Sequence, residues 1–87
     1  MYMIATYDIG EKRVGKVLKI FRKYLMWIQN SVFIGDITKA QLEKLKIELK
    51  EIIEEDYDFV LFFKVRSSKL MKSESLGKEF DPSDNFL

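Results

Sequence analysis

Eighty-seven residues carrying a formal net charge of +1 make one domain, because a chain of this size buries only about two-thirds or less of its unfolded surface and cannot support two separate cores. Hydrophobic residues at 47%, with seven Phe, four Tyr and one Trp, supply a core, and 33% charged residues supply a solvated surface. The absence of His and Cys excludes imidazole relays, thiolate nucleophiles, disulfides and ordinary zinc sites, which leaves oxygen ligands and, for a metal, Mg²⁺ or Mn²⁺.

The first predicted element is a strand from Tyr2 to Asp8, a β-favouring mixture of Tyr, Ile and Thr broken by Ile9-Gly10. A helix follows. Val14, Val17, Leu18, Phe21 and Leu25 recur at spacings of three and four and share one face, while Lys12, Lys16, Lys19 and Lys23 fall opposite and Arg13 and Arg22 widen the positive side. From Met26 to Ile37 the alternation becomes β-like, with Trp27, Gln29, Ser31 and Phe33 set against Ile28, Val32 and Ile34. This fits either a short hairpin or one kinked strand, and no Asn-Gly or Asp-Gly pair marks a turn. Thr38 with Gln41 three residues later reads as a capping box, opening a second helix with the apolar stripe Leu42, Leu45, Leu49, Ile52 and Ile53. Asp58 to Arg66 (DFVLFFKVR) is apolar on both faces, which predicts a strand that is either central or paired at a subunit interface.

The order strand, helix, one or two strands, helix, strand predicts an α+β sandwich of the ferredoxin-like βαββαβ type, with two helices on one face of an antiparallel sheet. The domain is expected over residues 1–66, and residues 67–87 form a polar tail, an added strand on a partner protomer or a docking segment. The second sheet face then calls for a second copy packed sheet to sheet, a homodimer. No apolar run approaches the roughly 18–20 residues of a membrane span and no basic-then-apolar leader is present, so the expected location is cytoplasmic, with no membrane partner.

The near-neutral total hides segregated charge. Glu11 to Tyr24 carries six basic residues against one acid, Glu51 to Asp58 carries five acids and no base, and Glu74 to Leu87 sets four acids against Lys78. The row Lys12, Arg13, Lys16, Lys19 and Lys23 is therefore a candidate phosphate-binding face, with backbone contact that is largely independent of sequence. The acid cluster reads as a solvated helix end that directs a polyanion to the basic face. Asp8, a lone carboxylate at the end of an apolar strand, has two readings: a cap on the following helix, or a Mg²⁺ ligand completed by the same residue of a second protomer, with waters in the remaining positions. Ser31 lacks a His or a Ser-x-x-Lys partner and reads as structural. Tyr7, Trp27 and Phe33 read first as core or interface aromatics.

Tyr2 to Ile9 (YMIATYDI), the basic helix beginning Lys12-Arg13, and Gln29-Asn30-Ser31-Val32-Phe33-Ile34-Gly35 before the capped helix together resemble the CRISPR-associated Cas2 family over about residues 1–66. The resemblance implies a ferredoxin-like homodimer with Asp8 of each protomer paired across a two-fold axis, Asp8 as Mg²⁺ ligand (Mn²⁺ as substitute), Tyr7 and Phe33 as its catalytic neighbours, and Arg13 as a phosphate contact. It implies two roles. One is a metal-dependent endonuclease on single-stranded RNA or on DNA. The other, which one carboxylate per protomer favours, is a scaffold that holds duplex DNA with the Cas1 integrase as the small subunit of a spacer-acquisition complex. The residues without the resemblance also fit a ferredoxin-like interaction domain with no nucleic-acid role.

Overall fold

The computed structural model of the chain describes residues 1–77. Strand β1 (Tyr2–Asp8) leads to helix α1 (Glu11–Arg22), the strands β2 (Met26–Gln29) and β3 (Val32–Asp36), helix α2 (Lys39–Ile52) and strand β4 (Phe59–Val65). The four strands form one antiparallel sheet in the order β2-β3-β1-β4, the ferredoxin-like arrangement that the element order predicts. Among the described residues no helix is long and apolar enough to cross a membrane.

Alternation along β1 decides which face is covered. Met3, Ala5 and Tyr7 are buried beneath the helices, where Val17 and Phe21 of α1 and Leu42, Leu45 and Leu49 of α2 meet Phe33 of β3. Phe21 is the hub: its ring stacks on Tyr7 at 5.4 Å and on Phe33 at 5.1 Å between centroids, contacts worth about 0.5–1.5 kcal/mol each beyond area burial. The helix stripe read from sequence stops short of Leu25, because α1 ends at Arg22 and Leu25 enters the core from the connection to β2.

Residues 26–37 resolve into a hairpin. Gln29 pairs with Val32 and Trp27 with Phe33, leaving Asn30-Ser31 as the turn, with a bulge between Trp27 and Gln29. Asn30 supplies the positive φ of 42° that tight turns require and that Asn tolerates better than most residues. Trp27 Nε1 donates to the Asn30 carbonyl at 2.9 Å, and the Tyr7 amide donates to the Ser31 carbonyl at 3.2 Å, tying the turn to β1.

Of the two positions that its composition allows for the last strand, the sheet order excludes one. The run in β4 is not central: it pairs only with β1 among the described residues and forms an edge. Its apolar doubling has a different cause, since Val60 and Phe62 pack towards the helices while Phe59, Leu61 and Phe63 are 58%, 37% and 50% exposed on the opposite face. Of the tail, Ser68–Leu70 form a single 3₁₀ turn and residues 71–77 contain no helix or strand. The added strand expected of the tail otherwise falls on residues 78–87, outside the described residues.

Candidate functional site

Asp8 closes β1 opposite Phe59 of β4. The alternation that buries Met3, Ala5 and Tyr7 sends Tyr2, Ile4, Thr6 and Asp8 to the open face of the sheet. Directly paired residues of antiparallel strands share a face, so Ile34 and Val32 of β3 and Phe63, Leu61 and Phe59 of β4 flank Ile4, Thr6 and Asp8 there. The site is thus an exposed carboxylate at the rim of an apolar sheet face. Asp8 has no hydrogen-bond or ion-pair partner among the described residues, and it does not cap α1, whose N-cap is Gly10 without a side-chain cap.

The other two residues expected around Asp8 lie on the far side of the sheet. Tyr7 is 9% exposed and Phe33 is fully buried, and both belong to the aromatic stack on Phe21. Burial pushes the Tyr7 hydroxyl above its ordinary pKa, which suits a core phenol and not a proton donor at Asp8. Adjacency in sequence is reversed by the pleat: consecutive strand residues point to opposite faces.

The basic row divides into two groups. Lys12, Lys16 and Lys19 are exposed along α1, and none has a partner among the described residues. Lys23, just past the helix, instead pairs with Glu48 of α2, which also accepts a hydrogen bond from the Tyr24 hydroxyl. Those two donors hold the Glu48 carboxyl below its ordinary pKa, and the Glu48 carboxylate raises Lys23.

Arg13 is engaged most fully. Its Nε donates to Asp58 Oδ2 at 2.6 Å and its Nη2 to Asp58 Oδ1 at 2.9 Å, a bidentate fork, with Glu54 3.9 Å from Nη1. The same carboxylate accepts the Gly10 amide on Oδ1 and the Glu54 amide on Oδ2, both at 2.8 Å. Asp58, read from sequence as one of a solvated acid cluster, has a fully buried side chain. The Arg13 guanidinium, followed by the two backbone donors, holds its carboxyl well below the usual carboxylate range in spite of burial. Gly10 leaves room for this fork, since a Cβ there would overlap the Arg13 guanidinium. Asp58 and Glu48 are the two acids that sequence reasoning missed. Nothing local distinguishes them from solvated neighbours, because their partners lie 45 and 25 residues away.

Among the described residues no group of three or more His, Cys, Asp or Glu side chains gathers to hold a metal. Asp8 stands apart from Asp36, the other exposed strand-end acid among the described residues, which pairs with Tyr2 at the opposite end of β1, so a hard cation at Asp8 such as Mg²⁺, which keeps several waters, needs at least one more protein oxygen for a firm site.

A model of the family described as CRISPR associated protein Cas2 matches residues 1–73. The CRISPR-associated endoribonuclease Cas2 of Thermotoga maritima is 49% identical over 79 residues, covering 91% of each chain. The corresponding Pyrococcus furiosus protein is 44% identical over the full length of both. Among solved structures, one described as the crystal structure of cas2 superposes with a TM-score of 0.81 at 42% identity, over 90% of this chain and 87% of that one. Streptococcus pyogenes Cas2 superposes with a TM-score of 0.78 at 31% identity, over 88% of this chain and all of that one.

Proposed function

The chain belongs to the CRISPR-associated Cas2 family, and from that premise we propose that it acts in spacer acquisition as a homodimer that holds duplex DNA beside the Cas1 integrase. The observation that carries this reading is the row Lys12, Lys16 and Lys19, exposed on one side of α1 and free of acidic partners among the described residues. From Lys12 to Lys19 the helix advances about 10 Å, roughly three base-pair steps along one strand. Lysine ammonium groups are mobile point charges that neutralise phosphates without reading bases.

Dimerisation rests on the open sheet face, where Phe59, Leu61 and Phe63 are exposed beside Ile4 and Ile34. A two-fold axis through that face would bring the two Asp8 carboxylates towards each other and double the oxygen ligands available to Mg²⁺ or Mn²⁺. Bound there, the metal would lower the pKa of a ligated water and offset charge on a phosphate. The relatives are named endoribonucleases, and the Asp8 pair gives this chain the residues for a metal-dependent phosphodiester cleavage. DNA holding is the primary role, because it draws on three free lysines per protomer whereas cleavage has a single carboxylate per protomer to draw on.

Replacing Lys12, Lys16 and Lys19 together with Ala is expected to weaken duplex binding and to flatten the dependence of log affinity on log salt by about 0.9 for each phosphate that the variant no longer neutralises. An unchanged slope assigns nucleic acid to another surface, and absence of salt-sensitive binding in the parent protein leaves a protein-interaction domain. Asp8→Asn is expected to retain dimer and duplex binding, to support integration with Cas1, and to remove any chelator-sensitive cleavage.

A further inference from the structure

We infer that Asp58 and Arg13 are positioning residues for Asp8: a buried ion-pair clamp that fixes the backbone on both sides of the site carboxylate, so that Arg13 acts through Asp58 and not on phosphate. The inference deepens the metal-site reading above and rests on it.

The geometry converges from two directions. Asp58 immediately precedes Phe59, which is the β4 residue paired with Asp8 in the β1–β4 ladder. Its carboxylate Oδ1 also takes the amide of Gly10, two residues after Asp8, at 2.8 Å. Asp8 is therefore held between a strand pair and a hydrogen bond that both lead to the same acid. Arg13, one turn into α1, closes the arrangement with its fork onto both carboxylate oxygens, and the Glu54 amide anchors the acid to the end of α2. The side chain of Asp58 is fully buried, and all four of these hydrogen bonds are charge-assisted, the stronger class.

Such an arrangement suits a site whose ligand is exposed and unsupported. Asp8 has no side-chain partner among the described residues, so its direction is set by its backbone. The backbone turns from strand to helix across Ile9-Gly10, with a glycine N-cap that offers no side-chain hydrogen bond of its own. Asp58, 48 residues from Gly10 in sequence, supplies the negative charge that a local Asp cap would place near the α1 N-terminus. A planar bidentate contact also leaves Arg13 poorly placed to take a phosphate, because its remaining terminal nitrogen, Nη1, faces Glu54.

The test compares Asp58→Asn, Arg13→Gln and the double variant with the parent chain. Mn²⁺ affinity is measured by electron paramagnetic resonance, duplex binding across a salt series, and amide exchange over residues 9–14. Melting curves establish that each variant is folded. Arg13→Lys, which keeps the charge and loses the fork, serves as the milder variant should either fail to fold. Each single variant is expected to weaken Mn²⁺ about tenfold or more, the double variant no further, and the salt slope of DNA binding to stay at the parent value. Arg13→Lys should recover part of the loss. Mn²⁺ affinity unchanged in folded Asp58→Asn overturns the inference, as does a salt slope that falls in Arg13→Gln as it does for the α1 lysines. If Asp8→Asn leaves Mn²⁺ binding of the parent chain unaltered, the metal reading itself fails. The clamp is then judged by exchange alone: about tenfold faster exchange at Gly10 in both single variants supports it, and unchanged rates overturn it.

Discussion

Asp8 and Asp58 are the same residue type at the same end of the β1–β4 pairing, and their surroundings give them opposite uses. Asp8 is exposed and free among the described residues, whereas Asp58 is buried against Arg13 and two amides. The Asp58 carboxyl is held below its ordinary value, so the sign of its linkage is fixed: the folded state binds this proton less readily than the unfolded chain. Its stabilisation is fully present above the unfolded carboxylate pKa of about 4 and is lost as pH falls below that towards the folded value. Thermal melts between pH 2 and 7 should therefore show the parent protein losing stability steeply below about pH 4. Asp58→Asn should start lower at neutral pH and show a shallower acid dependence; parallel curves for the two proteins would remove Asp58 from the acid response. Asp8 stands out in the sequence because it ends an apolar strand. Asp58 does not, since it sits in an acid run whose other members, Glu51, Glu54, Glu55 and Asp56, are exposed.

At the scale of elements, the two helices begin by different means. α2 carries its own start signal: the Thr38 hydroxyl accepts the Gln41 amide at 3.1 Å and the Gln41 side chain accepts the Thr38 amide at 2.9 Å. Thr38→Ala should cost about 1 kcal/mol, a fall of about 4–8 °C in Tm for a domain of this size, read by calorimetry. α1 has no such local signal and leans on the Asp58 clamp. The β2–β3 hairpin is hidden in the sequence because its turn is Asn30-Ser31, outside the Asn-Gly and Asp-Gly pairs that announce hairpins. Only the positive φ of Asn30 reveals what the position demands. Asn30→Val, with a branched Cβ in that region, should lose about 1–2 kcal/mol, while Asn30→Gly should be close to neutral; equal melting temperatures for the two variants would dismiss the turn as a constraint.

For the whole molecule, the sheet has one face roofed by helices and one bearing Phe59, Leu61 and Phe63 in the open. Helices cover one side only because both crossovers of a βαββαβ chain pass over the same face, which leaves the second side open among the described residues, where the proposed homodimer would bury it. Leu61→Asp should yield a folded monomer by sedimentation, since Leu61 faces away from the helix-side core. The melting temperature of the parent, unlike that of the variant, should rise with protein concentration. Monomeric behaviour of the parent at the same concentrations would set aside the dimer and with it the paired Asp8 site.

The sequence by itself determined the sandwich, both helices with their inward stripes, the Thr38 cap and the exposed lysines of α1, and it singled out Asp8 as the candidate carboxylate. These depend on periodicity and on residues three or four apart, which are local quantities. Only the tertiary structure decided that β4 lies at an edge of the sheet among the described residues, that Tyr7 and Phe33 lie across the sheet from Asp8, and that Arg13 belongs to Asp58 and Lys23 to Glu48. Each of these depends on which distant segments meet, and a sequence pattern that records how apolar a residue is does not record which partner the fold brings to it.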